Sequence, residues 1–375
     1  MMPCRHTFVS IDMTALRSNA QSLRAFLPDS VHLMAVVKAN AYGHGMVESA
    51  RAFLRGGADH LAVALAEEGV LLRDKGVTCP ILVLGPMNEE GFLAAAEHGL
   101  IPTLHCPENL PLAEKAAQQY GIHMPVHLKV DTGMSRIGFR EEGEWRQALE
   151  TLLHSVNLDL TGVYTHFADA DEQDSAFTQL QLDKFKRFTL GLPATVLRHA
   201  AASAATLHLP ETHLDMVRVG IALYGYPPVP TPLPLESAMQ FITEVTALRT
   251  IEQGDFVSYG CTFRADEATR VATLGVGYGD GYPRYLSGKG EVLIRGKRCR
   301  VLGRVCMDQT MVNVSNIPDV QVGDKAVLMG AGGAERIGAD DLARLTDTIT
   351  YEVLLSPKER VPKRYTNKIE EDDDA

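Results

Sequence analysis

A lysine directly follows an apolar run in the stretch Val36-Val37-Lys38-Ala39-Asn40-Ala41-Tyr42-Gly43-His44-Gly45. A primary amine at a strand end either caps the strand in solvent or, when desolvated, forms a Schiff base with an aldehyde cofactor. Position alone leaves both readings open. Gly43 and Gly45 permit tight turning, which would gather Tyr42 and His44 beside the amine. A second basic stretch is Lys129-Val130-Asp131-Thr132-Gly133-Met134-Ser135-Arg136-Ile137-Gly138. Arg136 there can pair with a phenolate or a carboxylate, or it can be ordinary loop charge. His166 closes another apolar run in Thr165-His166-Phe167-Ala168, as a reactive imidazole or as a hydrogen-bonded core histidine. Arg218 opens Arg218-Val219-Gly220-Ile221-Ala222-Leu223-Tyr224-Gly225. Its guanidinium stays protonated and can only donate, and the amides of Gly220 and Ile221 are candidates for holding a phosphate. Farther on, Tyr278 lies among glycines in Gly275-Val276-Gly277-Tyr278-Gly279-Asp280-Gly281, a structural turn or an exposed reactive phenol.

These groups need elements to hold them. Short apolar runs at Val31–Lys38, His60–Ala64, Pro80–Leu84, Ile101–Leu104, Val126–Val130, Leu160–Tyr164, Val196–His199 and Met216–Gly220 read as strands. Helical patterns separate them, among them Met46–Arg55, Glu89–His98, Leu110–Tyr120, Trp145–His154 and Ser175–Phe188. Strands alternating with helices in this number predict an α/β fold, a (β/α)8 TIM barrel, over a doubly wound sheet. Such barrels carry their chemistry at the C-terminal ends of the strands, where Lys38, Arg136, His166 and Arg218 all fall. Pro227, Pro228, Pro230, Pro232 and Pro234 then break the pattern. Shorter runs follow at Phe241–Leu248, Arg270–Val276, Glu291–Ile294, Arg300–Val305, Thr310–Val314 and Ala326–Met329, with turn signals at Gly254-Asp255 and Gly323-Asp324. Helices are expected at Ala339–Leu345 and Ile349–Leu354. The domain reading is a barrel over residues 1–235, with about ten N-terminal residues free to join the second domain, a mainly β domain over 236–369, and an acidic tail over 370–375.

The charge balance, 36 basic against 47 acidic residues and a net charge of -11, argues against nucleic acid as a partner. No apolar run is long enough to span a bilayer. Asp12 interrupts the first apolar stretch, so no secretory leader is expected. Cys4, Cys79, Cys106, Cys261, Cys299 and Cys306 include no CxxC pair and no zinc-like spacing. Reduced thiols in a cytoplasmic protein without a metal are the simpler reading.

The stretches quoted above, in this order, resemble the motifs of the alanine racemase family, pyridoxal-phosphate-dependent enzymes of fold type III. The resemblance covers nearly the whole chain apart from the acidic tail. It implies that Lys38 holds pyridoxal 5'-phosphate, with Tyr42 and His199 also at the cofactor. It implies that Arg136 contacts the cofactor's phenolic oxygen and the substrate, that Arg218 faces the pyridine nitrogen, and that Ser203, Gly220, Ile221 and Tyr351 hold the phosphate. Lys129 matches a lysine that is often carbamylated, His166 one placed beside a catalytic tyrosine, and Asp171 an acidic residue of the substrate entrance. Tyr278 matches the second base, delivered by the partner subunit, and the Met307 amide matches the group that holds the substrate carboxylate. Tyr351, in Thr350-Tyr351-Glu352-Val353, narrows the pocket. One departure is Ala202 before Ser203, where the family pattern has asparagine.

What the resemblance implies is interconversion of L- and D-alanine by a homodimer with shared sites. Lys38 serves one face of the substrate and Tyr278 the other, with His166 and Arg218 as helpers. A donor-only partner for the pyridine nitrogen favours the unprotonated ring and a weaker electron sink, which limits side reactions. The rivals are a racemase with broader or serine preference, a decarboxylase of the same architecture and a non-catalytic cofactor carrier. Arg218 and Tyr278 speak against the decarboxylase, the long β domain against the carrier, and Tyr351 against the serine preference.

Overall fold

The computed structural model describes residues 5–172 and 176–367. Ser175, the acidic tail and Cys4 lie outside the described residues. The described residues divide into two compact units: 14–41 with 45–172 and 176–236, and 5–13 with Tyr42–His44 and 237–367.

The first unit is a closed barrel of parallel strands, His32–Val36, His60–Val63, Ile81–Val83, Ile101–Leu104, Met124–Lys129, Leu158–Tyr164, Leu197–His199 and Met216–Val219. The last strand pairs with the first, Met216 opposite His32 and Val219 opposite Ala35. Strands buried on both faces read as apolar runs, which is why Ile81–Val83 and Ile101–Leu104 stand out in the sequence, whereas Leu158–Tyr164 and Leu197–His199 carry exposed or half-buried polar residues. Helices Met46–Arg55, Ala66–Asp74, Glu89–Glu97, Asn109–Tyr120, Glu142–His154, Ala176–Phe188 and Ser203–His208 alternate with them.

The sequence reading did not name Ala66–Asp74, Ser203–His208 or Met13–Phe26, the last of which precedes the first barrel strand. Asn19, fully buried on this helix, fastens it to the segment after the last strand. Its Nδ2 donates to Leu223 O at 3.0 Å and Glu236 O at 2.8 Å, while its Oδ1 accepts from Glu236 N at 2.8 Å. One buried amide thus satisfies three backbone groups, of which the Leu223 carbonyl lies out of reach of water.

The second unit is mainly β. Its long strand, Met239–Ile251, pairs antiparallel with Phe8–Asp12, Lys325–Gly332 and Thr269–Leu274, with a bulge between Val245 and Ala247 along the last pairing. Phe8–Asp12 also pairs in parallel with Lys363–Thr366, so both ends of the chain enter this sheet. Thr310–Asn313 pairs with Thr269–Leu274, and Glu335–Ile337 with Lys325–Gly332. Helices Ala339–Thr346 and Thr350–Leu355 follow.

One strand expectation fails. The run after Glu291–Ile294 is Lys297–Arg300, not Arg300–Val305. Arg295 and Gly296, at φ of 50° and 74°, form a two-residue hairpin turn that sets Ile294 opposite Lys297. Two positive φ values in succession match the twist of a hairpin, so the turn, not apolar alternation, fixes the strand. Val301 keeps only an isolated bridge to Val312.

Among the described residues the cysteines are unpaired, no helix is long and apolar enough to cross a membrane, and no cluster of metal-ligating side chains occurs. Replacing Asn19 by alanine removes all three bonds and leaves the buried Leu223 carbonyl without its donor, which should lower the unfolding free energy by about 1–3 kcal/mol. Urea unfolding of Asn19→Ala measures this, and an unchanged midpoint would remove Asn19 from the supports of the barrel.

Candidate active site

Lys38 follows the first barrel strand and begins a turn with an unusual backbone. Ala39, Asn40, Ala41 and Tyr42 have φ between 51° and 53°, one left-handed helical turn made without glycine. Each such residue crowds its Cβ against a carbonyl oxygen, so contacts must hold the turn. Glu68 supplies one: its carboxylate accepts from Ala39 N at 2.7 Å and from Ala64 N at 2.8 Å. Asn40 supplies a second, with Oδ1 accepting from Met46 N at 2.9 Å. Tyr42 packs against Tyr351, ring centroids 5.9 Å apart, and Gly43 is required because a Cβ there would come 2.5 Å from Leu354 O. His44 is buried with Nδ1 3.0 Å from Tyr42 O. Burial lowers the basicity of Lys38, and Arg136 lowers it further. The amine is therefore more readily neutral than a surface lysine.

The other barrel groups surround Arg218, buried on the last strand. Its Nη1 donates to His199 Nδ1 at 3.1 Å, and its Nη2 donates to Thr165 O at 2.8 Å, Ala200 O at 3.0 Å and His166 Nδ1 at 3.1 Å. No carboxylate pairs with it among the described residues. Burial chiefly drops its pKa to about 10. His166 and His199 are held well below the usual imidazole range, by burial first and Arg218 next. Tyr164 stacks on His199 at 4.9 Å, and both Lys129 Nζ and the Arg218 guanidinium lie about 5 Å from its ring. Lys129, itself buried, is pushed down to about 7 by burial and then by Arg218 and Arg136.

Arg136 is exposed, at the tip of a loop built by Asp131. That carboxylate accepts from the amides of Gly133 and Ser135, both at 3.0 Å, and Gly138 lets the chain return against Lys129, with Phe139 N donating to Lys129 O at 2.8 Å. Asp171 is exposed and His166 half-buried. Gln181 supports the His166 loop, accepting from Ala168 N at 2.9 Å and donating to His166 O at 3.2 Å.

Ser203 is buried, and its Oγ accepts from Gly220 N at 3.0 Å and Ala222 N at 3.4 Å. The second converging amide is that of Ala222, because Ile221–Tyr224 closes into a 3-10 turn that begins at Ile221. With its oxygen accepting twice, the serine hydroxyl is left as a donor, as an anion requires. Lys38, Lys129, Arg136 and Arg218 together outnumber Glu68 and Asp131. This donor-rich set, a desolvated amine beside an excess of positive charge, fits an anionic aldehyde such as pyridoxal phosphate.

In the second unit Tyr278 N donates to Cys306 O at 3.0 Å and Gly279 N to Met307 O at 2.8 Å. Gly277 and Gly279 allow this approach, since a Cβ on Gly277 would meet the Cys306 and Met307 carbonyls and one on Gly279 the Met307 carbonyl and Arg360. Asp280, its side chain fully buried, binds Arg5, Arg360 and the amide of Gly277, and Arg360 also donates to Asp308 at 2.6 Å. Met307 and Tyr351 are exposed.

Glu68 and Tyr259 were missed in the sequence. An acidic residue in a helix's first turn is commonplace, and a lone tyrosine between two-residue strands carries no pattern. Tyr259 is 70% exposed on a strained loop, with Ser258 at φ 69°, Gly260 at 73° and Cys261 at 48°. Backbone strain of this kind concentrates at functional positions.

Comparison with known proteins agrees with this geometry. The family model for the alanine racemase N-terminal domain matches residues 11–228, and that for the C-terminal domain matches 238–365. The curated alanine racemase of Halothermothrix orenii is 41% identical over 372 residues, covering 97% of this chain and 98% of its own. That of Symbiobacterium thermophilum is 44% identical over 370 residues, covering 96% and 97%. The structure of the Bacillus anthracis alanine racemase with bound L-Ala-P superposes with a TM-score of 0.91 at 37% identity, over 98% of this chain and 97% of that one. An α/β barrel followed by a β unit, matched in this way over its length, defines a pyridoxal-phosphate-dependent racemase of fold type III. The chain belongs to the alanine racemase family.

Lys129 yields a stability test. Its basicity is lower folded than unfolded, so the unfolded chain holds the extra proton between about pH 7 and 10.5. Stability should therefore rise with pH across that window, and the penalty is fully present below it. In carbonate-free buffer Lys129→Met should flatten the rise in melting temperature between these limits. An identical pH dependence in wild type and variant would show that Lys129 is not desolvated.

Proposed function

We propose that the protein interconverts L- and D-alanine with pyridoxal 5'-phosphate as cofactor. The observation that carries this reading is Arg218, a buried guanidinium donating to two imidazoles with no carboxylate beside it. Lys38 would hold the cofactor, Arg136 its phenolic oxygen and Arg218 its ring nitrogen. Ser203, the amides of Gly220 and Ile221, and Tyr351 would hold its phosphate, with Tyr42 and His199 close by. When bound, the cofactor withdraws electrons from the substrate Cα and so acidifies its C–H bond.

The chain's own groups do the rest. The desolvated amine of Lys38 takes or returns the proton on one face of the substrate. A tyrosine of the β unit serves the other face. An unassisted phenol is a poor base at neutral pH, with an ordinary pKa near 10. His166 helps it: with Nδ1 accepting from Arg218, the neutral ring carries its proton on Nε2 and can donate to a phenolate. The Met307 amide and Arg136 would orient the substrate carboxylate, Tyr351 would limit side-chain size, and Asp171 would line the approach. Lys129 would take up carbon dioxide as a carbamate, losing a proton and gaining the negative charge that its two arginine neighbours lack.

Two tyrosines compete for the second base. Tyr278 carries the sequence expectation, but its backbone is tied to Cys306 and its ring is half-buried. Tyr259 stands 70% exposed on a strained loop, which favours it for reaching a neighbouring subunit. We take the working protein to be a homodimer in which each site combines Lys38 of one subunit with the second-base tyrosine of the other, the position that the family resemblance gives to Tyr278.

In deuterated buffer the holoenzyme should racemise L-alanine with Cα exchange, and Lys38→Ala should abolish both. Serine turned over as fast as alanine would favour the broader racemase. Tyr259→Phe and Tyr278→Phe assign the second base, since the residue whose loss nearly stops turnover is the base. Mixing that variant with Lys38→Ala under subunit exchange should restore about a quarter of the sites, because about half the dimers are mixed and each has one intact site. No recovery, with exchange confirmed by tags, would place both residues in one subunit.

A further inference from the structure

Arg218 constrains more than the two rings it touches. A guanidinium has no acceptor, so the Nδ1 atoms of His199 and His166 must both be bare nitrogens. Neutral His199 then carries its proton on Nε2, 3.0 Å from His127 Nδ1. That atom must accept, so His127 in turn carries its own proton on Nε2. The opposite polarity would set an Arg218 N–H against a His199 N–H, two donors face to face. Neither ring can escape to water: His199 is 0% and His127 1% exposed. Neither has a carboxylate partner among the described residues. His199 is also clamped flat against Tyr164, whose hydroxyl lies 3.0 Å from Thr103 Oγ1. His127 fits inside the barrel because residue 162 is glycine; a Cβ there would come 2.5 Å from its Cε1 and Nε2. Burial holds both imidazoles neutral, His127 down to about 3, with His60 and Arg218 adding to the effect.

We infer that His127 is a positioning residue for the racemase reaction: by accepting from His199 Nε2 it locks His199 in the tautomer whose Nδ1 receives Arg218. Its effect on turnover rests on the reading of Arg218 as the partner of the cofactor's ring nitrogen. The tautomer chain itself rests on the geometry alone. Without the His127 acceptor, the Nε2–H of His199 is left buried and unpaired, so the Nε2–H form loses one of the two bonds that favour it, and the competing Nδ1–H form pushes the guanidinium away.

The test uses holoenzyme labelled with 15N-histidine and two variants. His127→Leu keeps the bulk without an acceptor, and His127→Asn places Oδ1 where Nδ1 lies. In wild type, two-bond 15N–1H correlation should show His199 and His127 neutral and protonated on Nε2 from roughly pH 6 to 9. His127→Leu should show a mixture of His199 tautomers and faster cofactor release. Its kcat should fall about tenfold, the scale of one buried donor losing its acceptor, with KM for alanine within about twofold of wild type. His127→Asn should restore the Nε2–H form and most of kcat. A wild-type His199 protonated on Nδ1 overturns the inference, as does undiminished kcat in His127→Leu or equal damage in both variants. If His127→Leu fails to fold, the wild-type spectrum and His127→Asn still decide. If Arg218→Lys alters neither cofactor absorbance nor kcat, the reading of Arg218 has failed, and the His199 spectrum still judges the tautomer chain.

Discussion

Burying a guanidinium without a carboxylate is costly unless its N–H groups find acceptors, and the barrel's catalytic end is arranged around how Nη1 and Nη2 of Arg218 find theirs. Its acceptors come from residues that close two neighbouring strands: Thr165 and His166 after Leu158–Tyr164, and His199 and Ala200 at the end of Leu197–His199. The arginine itself lies on Met216–Val219. One side chain thus sets the spacing of three strand ends and the protonation pattern of two rings. It also contributes to the lowered basicity of Lys38, Lys129, His166 and His199. The result is a region of fixed donors with little of its own negative charge, which an anionic cofactor and an amino-acid carboxylate complement.

The β unit solves the opposite problem. Asp280 is a buried carboxylate that would be untenable alone, and it is neutralised by Arg5 from the start of the chain and Arg360 from near its end. The same carboxylate takes the Gly277 amide, so the turn bearing Tyr278 is held where Arg5 and Arg360 converge. Closing a loop this long costs little more than closing a short one, which lets remote segments build one local turn.

How much of this could be read from the sequence depended on whether a feature left a local pattern. Most parallel barrel strands did, because burial on both faces favours apolar residues along them. Lys297–Arg300 did not: Lys-Arg-Cys-Arg has no apolar alternation, and its pairing comes from the Arg295-Gly296 turn. The helix Met13–Phe26 went unseen because no barrel strand precedes it, and the contact that places it, Asn19 to Leu223 and Glu236, spans more than two hundred residues. At the site, Lys38, His166 and Arg218 were legible from their places at strand ends. The roles of Glu68 and His127 were not, since each depends on a partner supplied by another strand or helix. Which phenol projects from the β unit was also hidden, because exposure is a property of the folded surface.

The turn at Ala39–Tyr42 sets stability against function. Four residues in the left-handed region cost on the order of 1–2 kcal/mol each, and glycine would relieve that strain at any of them. Relief would also loosen the backbone that aims Lys38, since glycine adopts many other conformations equally well. A laboratory selection for heat resistance alone would therefore gain little by conserving these residues, whereas a selection for turnover would be bound to them. Populations evolved under the two regimes should part company first at this turn, in the backbone immediately behind Lys38.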